Sequence, residues 1–375
     1  MPIVPLIQNY RDEQWDPSIV ERAVGNETSR ARLVDALVRF VRENKFAAVC
    51  TDFEEVPTTS QANLQLFMQS LHSAFRPMGW ILAQAVPFDD TDWDLRSYSA
   101  TTDYLLLMAY DQHWSASAAG PIAAQDWFER NLVARMRELE PAKTIICIGN
   151  YGYNWTRGSQ ATEVTFQEAV LAARDSEAAV SFDATSRNPY FSYEEEDGSS
   201  HTVWFLDAVT AYNQFRSANI FHPAGYALWR LGSEDPSLWT IFGVGFEPTQ
   251  TNGLPESLQR ISFGYDVDFE GTGAILQVEA EPQEGSREVK LDPVSGLIAQ
   301  EDYRKTPSSY VILRSGDQPG FVALTFDDGP DPSWTPRILE ILRHENVSAT
   351  FFIIGANGQA NPNLVRRIVV EGMTW

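Results

Sequence analysis

Two carboxyl groups stand at the end of an apolar run near the start of the chain. Residues 45–57 read Lys-Phe-Ala-Ala-Val-Cys-Thr-Asp-Phe-Glu-Glu-Val-Pro, so Asp52 and Glu54 are two positions apart. On a β-strand, side chains two apart share a face. Neighbouring carboxyl groups do not ionise independently, and one that keeps its proton near neutral pH can act as a general acid. The run predicts a buried strand that delivers acid chemistry to its C-terminal end, although acidic residues also follow strands that simply run out into solvent.

The composition limits the classes of partner. The 375 residues include 28 Lys and Arg against 51 Asp and Glu, a net charge of −23, which argues against nucleic acid or an anionic membrane. A neutral or cationic ligand is easier to accommodate. Eleven Trp and thirteen Tyr supply flat rings that can stack on sugars, although most aromatic side chains in any domain belong to the core.

Cysteines and long apolar runs say little about the compartment. Cys50 and Cys147 both lie in apolar, strand-like runs and are interpreted as small buried hydrophobes rather than a disulfide framework. No run reaches the roughly 18 apolar residues of a membrane span, and the sequence after Met1 does not resemble a signal peptide. The localisation therefore cannot be read from these residues.

Apolar runs alternate with amphipathic helical patterns over the first 245 residues. Strands are predicted at 3–10, 45–54, 80–87, 104–111, 144–149 and 225–230, with helices at 29–44, 59–75 and 124–139 between them. Such alternation indicates an α/β fold with a parallel sheet covered on both faces. Several strands end in polar or aromatic groups, which favours the rim of a (β/α) barrel over an open doubly wound sheet. The expected fold is a partial TIM barrel with about six of eight strands.

Three regions are expected. Residues 1–245 form the partial barrel, with a β excursion inside an insertion at 156–219. Residues 246–318, rich in Gly, Pro and alternating strand patterns, form a linker and a small β connector. Residues 319–375 begin a further α/β unit, with strands at 321–330 and 349–354 and helices at 335–345 and 363–371.

Motifs at the strand ends of the first region resemble glycoside hydrolase family 18, in particular the bacterial chitinase-like branch that includes spore peptidoglycan hydrolases. They are Asp52-Phe53-Glu54, Met108-Ala109-Tyr110-Asp111, Tyr151 in 149–153, and Trp229 in 228–232. The resemblance implies a TIM barrel that hydrolyses β-linked N-acetylglucosamine polymers without a cofactor.

The same resemblance implies a role for each residue. Glu54 would protonate the glycosidic oxygen while the substrate's own acetamido carbonyl attacks the anomeric carbon. Asp52 would orient the acetamido group and raise the pKa of Glu54, and Tyr110 and Asp111 would stabilise the developing charge. Substrate-binding roles fall to Trp229, which would floor the pocket, and to Tyr151 and Asn9.

The sequence departs from the family pattern at two places. Ala47 and Cys50 occupy positions of the acid motif that are usually acidic or amide, which weakens the expected support for Asp52. The run at 3–10 corresponds to the family's third strand, so we expect an N-terminally truncated product of a longer gene, with unpaired strand edges.

The last region resembles the start of the NodB-like polysaccharide deacetylases, carbohydrate esterase family 4. The match is Thr325-Phe-Asp-Asp-Gly-Pro330 with Ala349-Thr-Phe-Phe352. By this resemblance Asp327 acts as general base and Asp328 ligates a divalent metal, typically zinc, together with two histidines of a His-x-x-x-His motif. That motif occurs nowhere in the chain, so the metal is not expected to be held well and a truncated NodB-type barrel is predicted.

Two functions stay open. In the first, the barrel is a hydrolase fused to a deacetylase of the same N-acetylglucosamine-containing polysaccharide, whether chitin, peptidoglycan or exopolysaccharide. In the second, it is a non-catalytic module that binds the glycan and presents it to the deacetylase. The layout is similar to that of bacterial proteins with a glycosyltransferase further along the chain, and the resemblance implies a cell-envelope or extracytoplasmic location.

Overall fold

The computed structural model describes residues 3–12, 14–242, 256–263, 267–316 and 320–374. The chain forms two compact units. The first comprises Met1–Asp268 with Val278–Ile312, and the second comprises Phe269–Gln277 with Leu313–Trp375. No described helix has the length and apolar character needed to cross a membrane.

The strands are numbered along the chain. They are β1 (Leu6–Gln8), β2 (Tyr10–Arg11), β3 (Gln14–Trp15), β4 (Ala48–Asp52), β5 (Ile81–Pro87), β6 (Tyr104–Met108), β7 (Thr144–Gly149), β8 (Tyr151–Thr156), β9 (Thr162–Thr165), β10 (Ser181–Phe182), β11 (Pro189–Glu194), β12 (Ser200–Phe205), β13 (Gly225–Trp229), β14 (Arg260–Ile261), β15 (Val267–Gly271), β16 (Ile275–Ala280), β17 (Gly285–Leu291), β18 (Ile298–Lys305), β19 (Tyr310–Ser315), β20 (Thr325–Gly329) and β21 (Thr350–Ile353).

The α-helices are numbered in the same way. They are α1 (Pro17–Val24), α2 (Glu27–Glu43), α3 (Thr58–Phe75), α4 (Leu95–Ala100), α5 (Gln125–Met136), α6 (Phe166–Asp175), α7 (Ala208–Asn219), α8 (Trp239–Phe242), α9 (Thr335–Glu345), α10 (Gly355–Ala360) and α11 (Pro362–Val370). Short 3₁₀ turns lie at Arg76–Met78, Pro141–Lys143, Pro236–Leu238 and Glu256–Gln259.

The six predicted strands form one parallel sheet in the order β1-β4-β5-β6-β7-β13. This confirms the α/β class and the parallel sheet. Because neighbouring strands run the same way, their C-terminal ends meet at one edge of the sheet, where the acid residues were expected. Within the described residues, β1 and β13 are the two edges of this sheet, and neither pairs with the other.

Helices cover the sheet through their apolar faces. In α3, for example, Leu64, Phe67, Met68 and Leu71 repeat at three- and four-residue spacing and are fully buried in the main core. Helix α2 begins at an Asn26–Ser29 capping box, which satisfies backbone N–H groups of its first turn. These packed helices hold the strand ends in fixed positions.

Two predicted strands are shorter than expected at the C-terminal edge of the parallel sheet, where the acid residues lie. Strand β4 ends at Asp52 and β6 ends at Met108, so Glu54, Tyr110 and Asp111 lie in the turns that follow. Asp111 adopts a positive φ of 59°, which a continuing strand does not allow. Glu54 therefore lies just beyond the strand on which it was predicted to share a face with Asp52.

The insertion after β7 builds a separate antiparallel sheet of order β10-β11-β12-β8-β9. The predicted β excursion supplies β10, β11 and β12, while β8 was not predicted. Residues 189–194 and 200–205 pair as a hairpin around the acidic turn. One face packs on α6 through Phe191, Val203 and Phe205.

Strands β14, β17 and β18 form a further sheet in the first unit. Arg287 of β17 is fully buried and pairs with Asp207 (3.1 Å) and Asp235 (2.7 Å). Asp207 caps α7, and Asp235 accepts from the Ala208 N–H. One arginine thus ties this sheet to the start of α7 and to the turn after β13.

In the second unit β20 and β21 pair in parallel, and α9 and α11 pack over them through a small core that includes Leu339, Phe351 and Ile368. Helix α9 has the predicted bounds. The predicted strand at 321–330 is shortened to β20, and Asp327 and Asp328 are its third and fourth residues. The three-domain division of the chain stays a prediction.

Candidate active site

The carboxyl group of Asp52 lies at the end of β4, and its side chain is held from the neighbouring strand. The Gln8 amide of β1 donates to Asp52 Oδ2 at 2.8 Å, while Asp52 Oδ1 is buried and has no hydrogen-bond partner among the described residues. Burial raises the pKa of Asp52, and the bond from Gln8 opposes that rise. An unpaired buried carboxylate oxygen is costly, so this atom is a ready acceptor for a ligand N–H.

The main chain of Glu54 is fixed by a second residue of the same edge. Asn9, fully buried, donates from Nδ2 to the Glu54 carbonyl at 2.9 Å and accepts the Glu54 N–H on Oδ1 at 2.9 Å. Asn9 Nδ2 also reaches the carbonyl of Asp16 at 3.2 Å. The Asn9 side chain thereby pairs both backbone groups of Glu54, as a neighbouring strand pairs those of a residue inside a sheet.

The Glu54 carboxyl group is held in its neutral form near pH 7. Burial raises the pKa of Glu54 to about 8, and the negative charges of Asp52, Asp111 and Glu55 add to the effect. Asp52 was expected to produce this rise, but burial is the larger cause, with Asp52 second. A carboxyl group that keeps its proton near neutral pH is what a general acid requires.

Asp111 is held by two phenols from the insertion sheet. Tyr151 donates to Asp111 Oδ1 at 2.5 Å, and Tyr153 donates to the same oxygen at 3.3 Å. Removal from bulk water raises the pKa of Asp111 to about 6, although both phenols oppose the rise. The ring of Tyr151 also packs edge-on against Tyr110, with centroids 6.1 Å apart. Strand β8 thus positions the whole segment that follows β6.

A cleft of about 220 Å³ opens above these groups. It is lined by carboxyl-bearing residues and by apolar and aromatic ones: Glu54, Glu55, Val56, Pro87, Phe88, Asp89, Asp90, Trp93, Met108, Tyr110 and Asp111. Five of these eleven carry carboxyl groups and none is basic. The cleft therefore suits a neutral or cationic ligand.

Cys50 and Trp229 occupy different parts of the sheet. Cys50 is buried below Asp52, its pKa is raised to about 12 chiefly by burial, and its thiol lies 3.7 Å from the Thr51 carbonyl. Cys50 is a neutral group and cannot support Asp52 as a carboxyl or amide side chain would; Gln8 donates a hydrogen bond to Asp52 instead. Trp229 ends β13 and is 39% exposed, so its ring is open to solvent at the sheet edge.

The acid residues of the site were predicted from the sequence, but the residues that bond to their side chains were predicted only in part. Glu54, Tyr110 and Asp111 were predicted and line one cleft. Gln8 and Tyr153 were not predicted as site residues. Tyr153 carried a signal, since it follows Tyr151 at strand spacing and shares its face.

Asp327 and Asp328 lie in the second unit, and both side chains are exposed. The Asn357 amide donates to the Asp328 carbonyl, not to its carboxylate. Within the described residues, no group of three or more His, Cys, Asp or Glu side chains could hold a metal ion. These residues do not fit the metal that polysaccharide deacetylases generally use, so we derive no metal-dependent step.

The first unit is similar to known glycan hydrolases. The cortical fragment-lytic enzyme of Bacillus subtilis is 24% identical over 260 residues, which is 65% of this chain and 60% of that protein. YdhD of the same organism, named as a sporulation-specific glycosylase, is 26% identical over 61% of this chain and 58% of its own length. The chain thus spans about three fifths of these two relatives. The crystal structure of a chitinase from Chromobacterium violaceum superposes with a TM-score of 0.60 at 28% identity, covering 64% of this chain and 79% of that one.

The second unit is similar to deacetylases. Residues 315–375 match the polysaccharide deacetylase family. A peptidoglycan-N-acetylglucosamine deacetylase of Bacillus cereus is 46% identical over 66 residues, 18% of this chain and 31% of that protein. Neither matched family is a glycosyltransferase, so the expected glycosyltransferase finds no support.

The match to glycosyl hydrolases family 18 covers residues 16–234, more than half of the chain, and includes β4, β6 and β8. It agrees with the recognition made from the strand-end motifs. Both matched families consist of hydrolytic enzymes. The chain belongs to glycosyl hydrolases family 18 and carries, at residues 315–375, a polysaccharide deacetylase segment.

Proposed function

We propose that the first unit hydrolyses β-linked polymers that contain N-acetylglucosamine, with Glu54 as the general acid. The observation that carries the proposal is that Glu54 lines the same cleft as Tyr110 and Asp111 and that its pKa is raised to about 8, above the value of about 6 for Asp111. A protonated Glu54 can give its proton to the glycosidic oxygen at neutral pH. Its place in the cleft beside Tyr110 and Asp111 puts that proton where a sugar can reach it.

The neighbouring groups fit a substrate-assisted mechanism. The unpaired Asp52 Oδ1 would accept the acetamido N–H, which turns the acetamido oxygen towards the anomeric carbon. As positive charge develops on the acetamido group, Asp52 and Asp111 would stabilise it, and Tyr110 would donate to its oxygen. Trp229 would stack on the sugar from the sheet edge. No enzyme carboxylate needs to attack the substrate.

A second candidate is a glycan-binding barrel without turnover. It is favoured by Cys50, because a buried neutral thiol stands where the family pattern has a carboxyl or amide group below Asp52. In that case the unit would bind the polysaccharide through the same cleft and present it to a deacetylase.

Hydrolysis of N-acetylglucosamine oligomers by the wild-type chain and by Glu54→Gln separates the two candidates. We expect turnover by the wild type and a loss of at least about 100-fold in Glu54→Gln, with oligomer affinity retained. Equal binding by both proteins with no turnover by either would support the binding module and refute the hydrolase.

The relatives suggest where such an activity would be used. The cortical fragment-lytic enzyme and the peptidoglycan deacetylase are both named for cell-wall glycans. We propose that this chain acts on an N-acetylglucosamine-containing polysaccharide of the cell envelope, outside the cytoplasm. Digestion assays with purified peptidoglycan, chitin and poly-N-acetylglucosamine would identify the polymer.

A further inference from the structure

Gln8, the last residue of edge strand β1, and Asn9, which follows it, contact the two members of the acid pair. Gln8 bonds the Asp52 side chain, and Asn9 bonds the Glu54 main chain on both sides of the residue. The contacts reach across 44 and 45 positions of sequence. Register explains the first contact, since Gln8 lies opposite Asp52 in the β1–β4 ladder.

We propose that Gln8 and Asn9 are positioning residues of the acid pair: Gln8 orients the Asp52 carboxyl group through its hydrogen bond, and Asn9 fixes the turn that presents Glu54. The inference rests on the proposed function only for its kinetic consequences. It departs from the expectation that Asn9 contacts substrate, because its amide is already bonded to Glu54 and Asp16 and has no exposed surface.

The need for Asn9 follows from where β4 stops. The strand ends at Asp52, so the backbone groups of Glu54 have no ladder partner, and burying them unpaired would be unfavourable. Asn9 is itself anchored, because the Asp16 N–H donates to its carbonyl at 2.9 Å and Asp16 caps α1. Glu54 is therefore tied to a helix terminus through a single side chain.

The same two-bond contact occurs twice elsewhere in the first unit. Asn213 bonds the N–H (2.7 Å) and the carbonyl (2.9 Å) of Ile298, and Asn188 bonds both groups of Ala123. All three asparagines are fully buried. Neither Asn213 nor Ile298 lines the cleft, so this contact offers a matched control with the same chemistry and no acid to position.

The role of Gln8 follows from the charges around Asp52. The titratable groups that interact electrostatically with Asp52 are Glu54, which follows β4, Cys50 on β4, Cys147 on β7 and Tyr110 after β6. None of these groups is a cation. Gln8 gives the one hydrogen bond that Asp52 Oδ2 receives from a described side chain, and a donated N–H favours the ionised carboxylate.

Carboxyl-carbon NMR titration tests Gln8 without any need for turnover. In Gln8→Met, which keeps the side-chain length and removes the donor, we expect the pKa of Asp52 to rise. Gln14→Met, which changes an exposed glutamine of the adjacent β2–β3 hairpin, should leave it unchanged. An unaltered Asp52 pKa in Gln8→Met would refute the role of Gln8.

Asn9→Leu and Asn213→Leu test the second role as a pair, since each removes both bonds to one buried backbone. We expect similar losses of stability, but only Asn9→Leu should lower the pKa of Glu54 from about 8 towards its ordinary value, because the freed turn exposes the carboxyl group. Asn9→Ser, which keeps one polar group, serves where Asn9→Leu does not fold. A Glu54 pKa that is unchanged in both Asn9 variants, or that falls equally in Asn213→Leu, would refute the role.

Kinetics add the link to function. If the unit is a hydrolase, Asn9→Ser should lower kcat by about tenfold with little change in KM, as expected when an acid is misplaced by a fraction of an ångström. A kcat that matches the Asn213→Leu value would count against a positioning role. Absence of turnover in the wild type would refute the proposed function, and the NMR titrations would still decide the inference.

Discussion

The phenol of Tyr151 donates to the Asp111 carboxylate at 2.5 Å, which joins the insertion sheet to the turn after β6. Tyr151 is 1% exposed, and its backbone carbonyl accepts the Leu206 N–H, so both its phenol and its main chain are fixed. Tyr151 is not among the residues that line the cleft, and its phenol is bonded to the acid that it supports.

Tyr151→Phe should raise the pKa of Asp111 above its value of about 6, because the mutation removes a bond that favours the ionised form. If catalysis needs ionised Asp111 and protonated Glu54, the wild-type profile of kcat/KM rises through about pH 6 and falls through about pH 8. The mutant should show an upward shift of the acid limb alone. Tyr193→Phe, on the other face of the insertion sheet, is the control, and a shift of the alkaline limb instead would contradict this assignment.

Glu54→Gln should stabilise the first unit more at pH 8 than at pH 5. The folded pKa of Glu54, about 8, lies above the ordinary value of 4.5, so the folded state holds a proton that the unfolded state has lost between these pH values. Stability therefore falls as pH rises through this window, and the amide removes that dependence. Near pH 8 we expect Glu54→Gln to raise the free energy of unfolding by roughly 2 kcal/mol. This is less than the full pKa shift implies, because partial solvent contact of Glu54 weakens its effect on stability.

Urea unfolding at pH 5 and pH 8 measures this difference. Glu138→Gln is the control, because Glu138 is exposed and is not among the charges that raise the pKa of Glu54. Equal stability changes for Glu54→Gln at the two pH values would show that Glu54 is not buried as a neutral acid.

The charge of the cleft predicts a preference among glycans. Five carboxyl-bearing residues and no basic residue line it, so oligomers with some free amino groups should bind more tightly than fully acetylated ones of equal length. The advantage should shrink between 20 and about 300 mM salt, because ions screen the attraction. Asp90→Asn should reduce it without loss of affinity for the neutral oligomer. Isothermal titration with the Glu54→Gln protein measures binding alone, and a salt-independent affinity for both oligomers would contradict the prediction.

Regular elements were predicted well where the physics is local. Strand β7 and helix α9 have the predicted bounds, since an apolar run of six residues and a three- and four-residue repeat each specify one structure. Strand β8 was missed because Tyr151–Thr156 mixes Gly, Asn and Tyr and has no apolar run. It pairs on one side with β9, which follows closely in the sequence, and on the other with β12, which lies about 50 residues further along, and only the second pairing joins it to the rest of the insertion sheet.

The candidate site divides in the same way. Asp52, Glu54, Tyr110 and Asp111 were predictable because parallel strands bring their C-terminal ends together. The contacts that set their ionisation were not. Gln8 is a polar residue of an exposed edge strand, and only the β1–β4 register places it beside Asp52. Burial, the main cause of the raised Glu54 pKa, is likewise a property of the assembled fold.

Arg287→Leu should strongly destabilise the first unit. The mutation leaves Asp207 and Asp235 buried without their cation, and Glu301, whose pKa is raised well above its ordinary value by burial, cannot replace it. Removing one partner of a buried ion pair costs about 3–5 kcal/mol. Because both aspartates also cap or bond the start of α7, the loss should spread to the barrel rather than stay in β17.

Arg304→Leu is the matched control for this test. Arg304 also pairs with two carboxylates, Glu288 and Asp302, but all three side chains are more than half exposed. Exposed pairs contribute about 0–1 kcal/mol, so Arg304→Leu should unfold in urea close to the wild type. A comparable loss in the two variants would mean that the strands β17 and β18, rather than the buried Arg287 cluster, carry the contribution. A loss confined to Arg287→Leu, seen by hydrogen exchange in α7 as well as in β17, would establish the sheet after residue 256 as part of the core of the first unit.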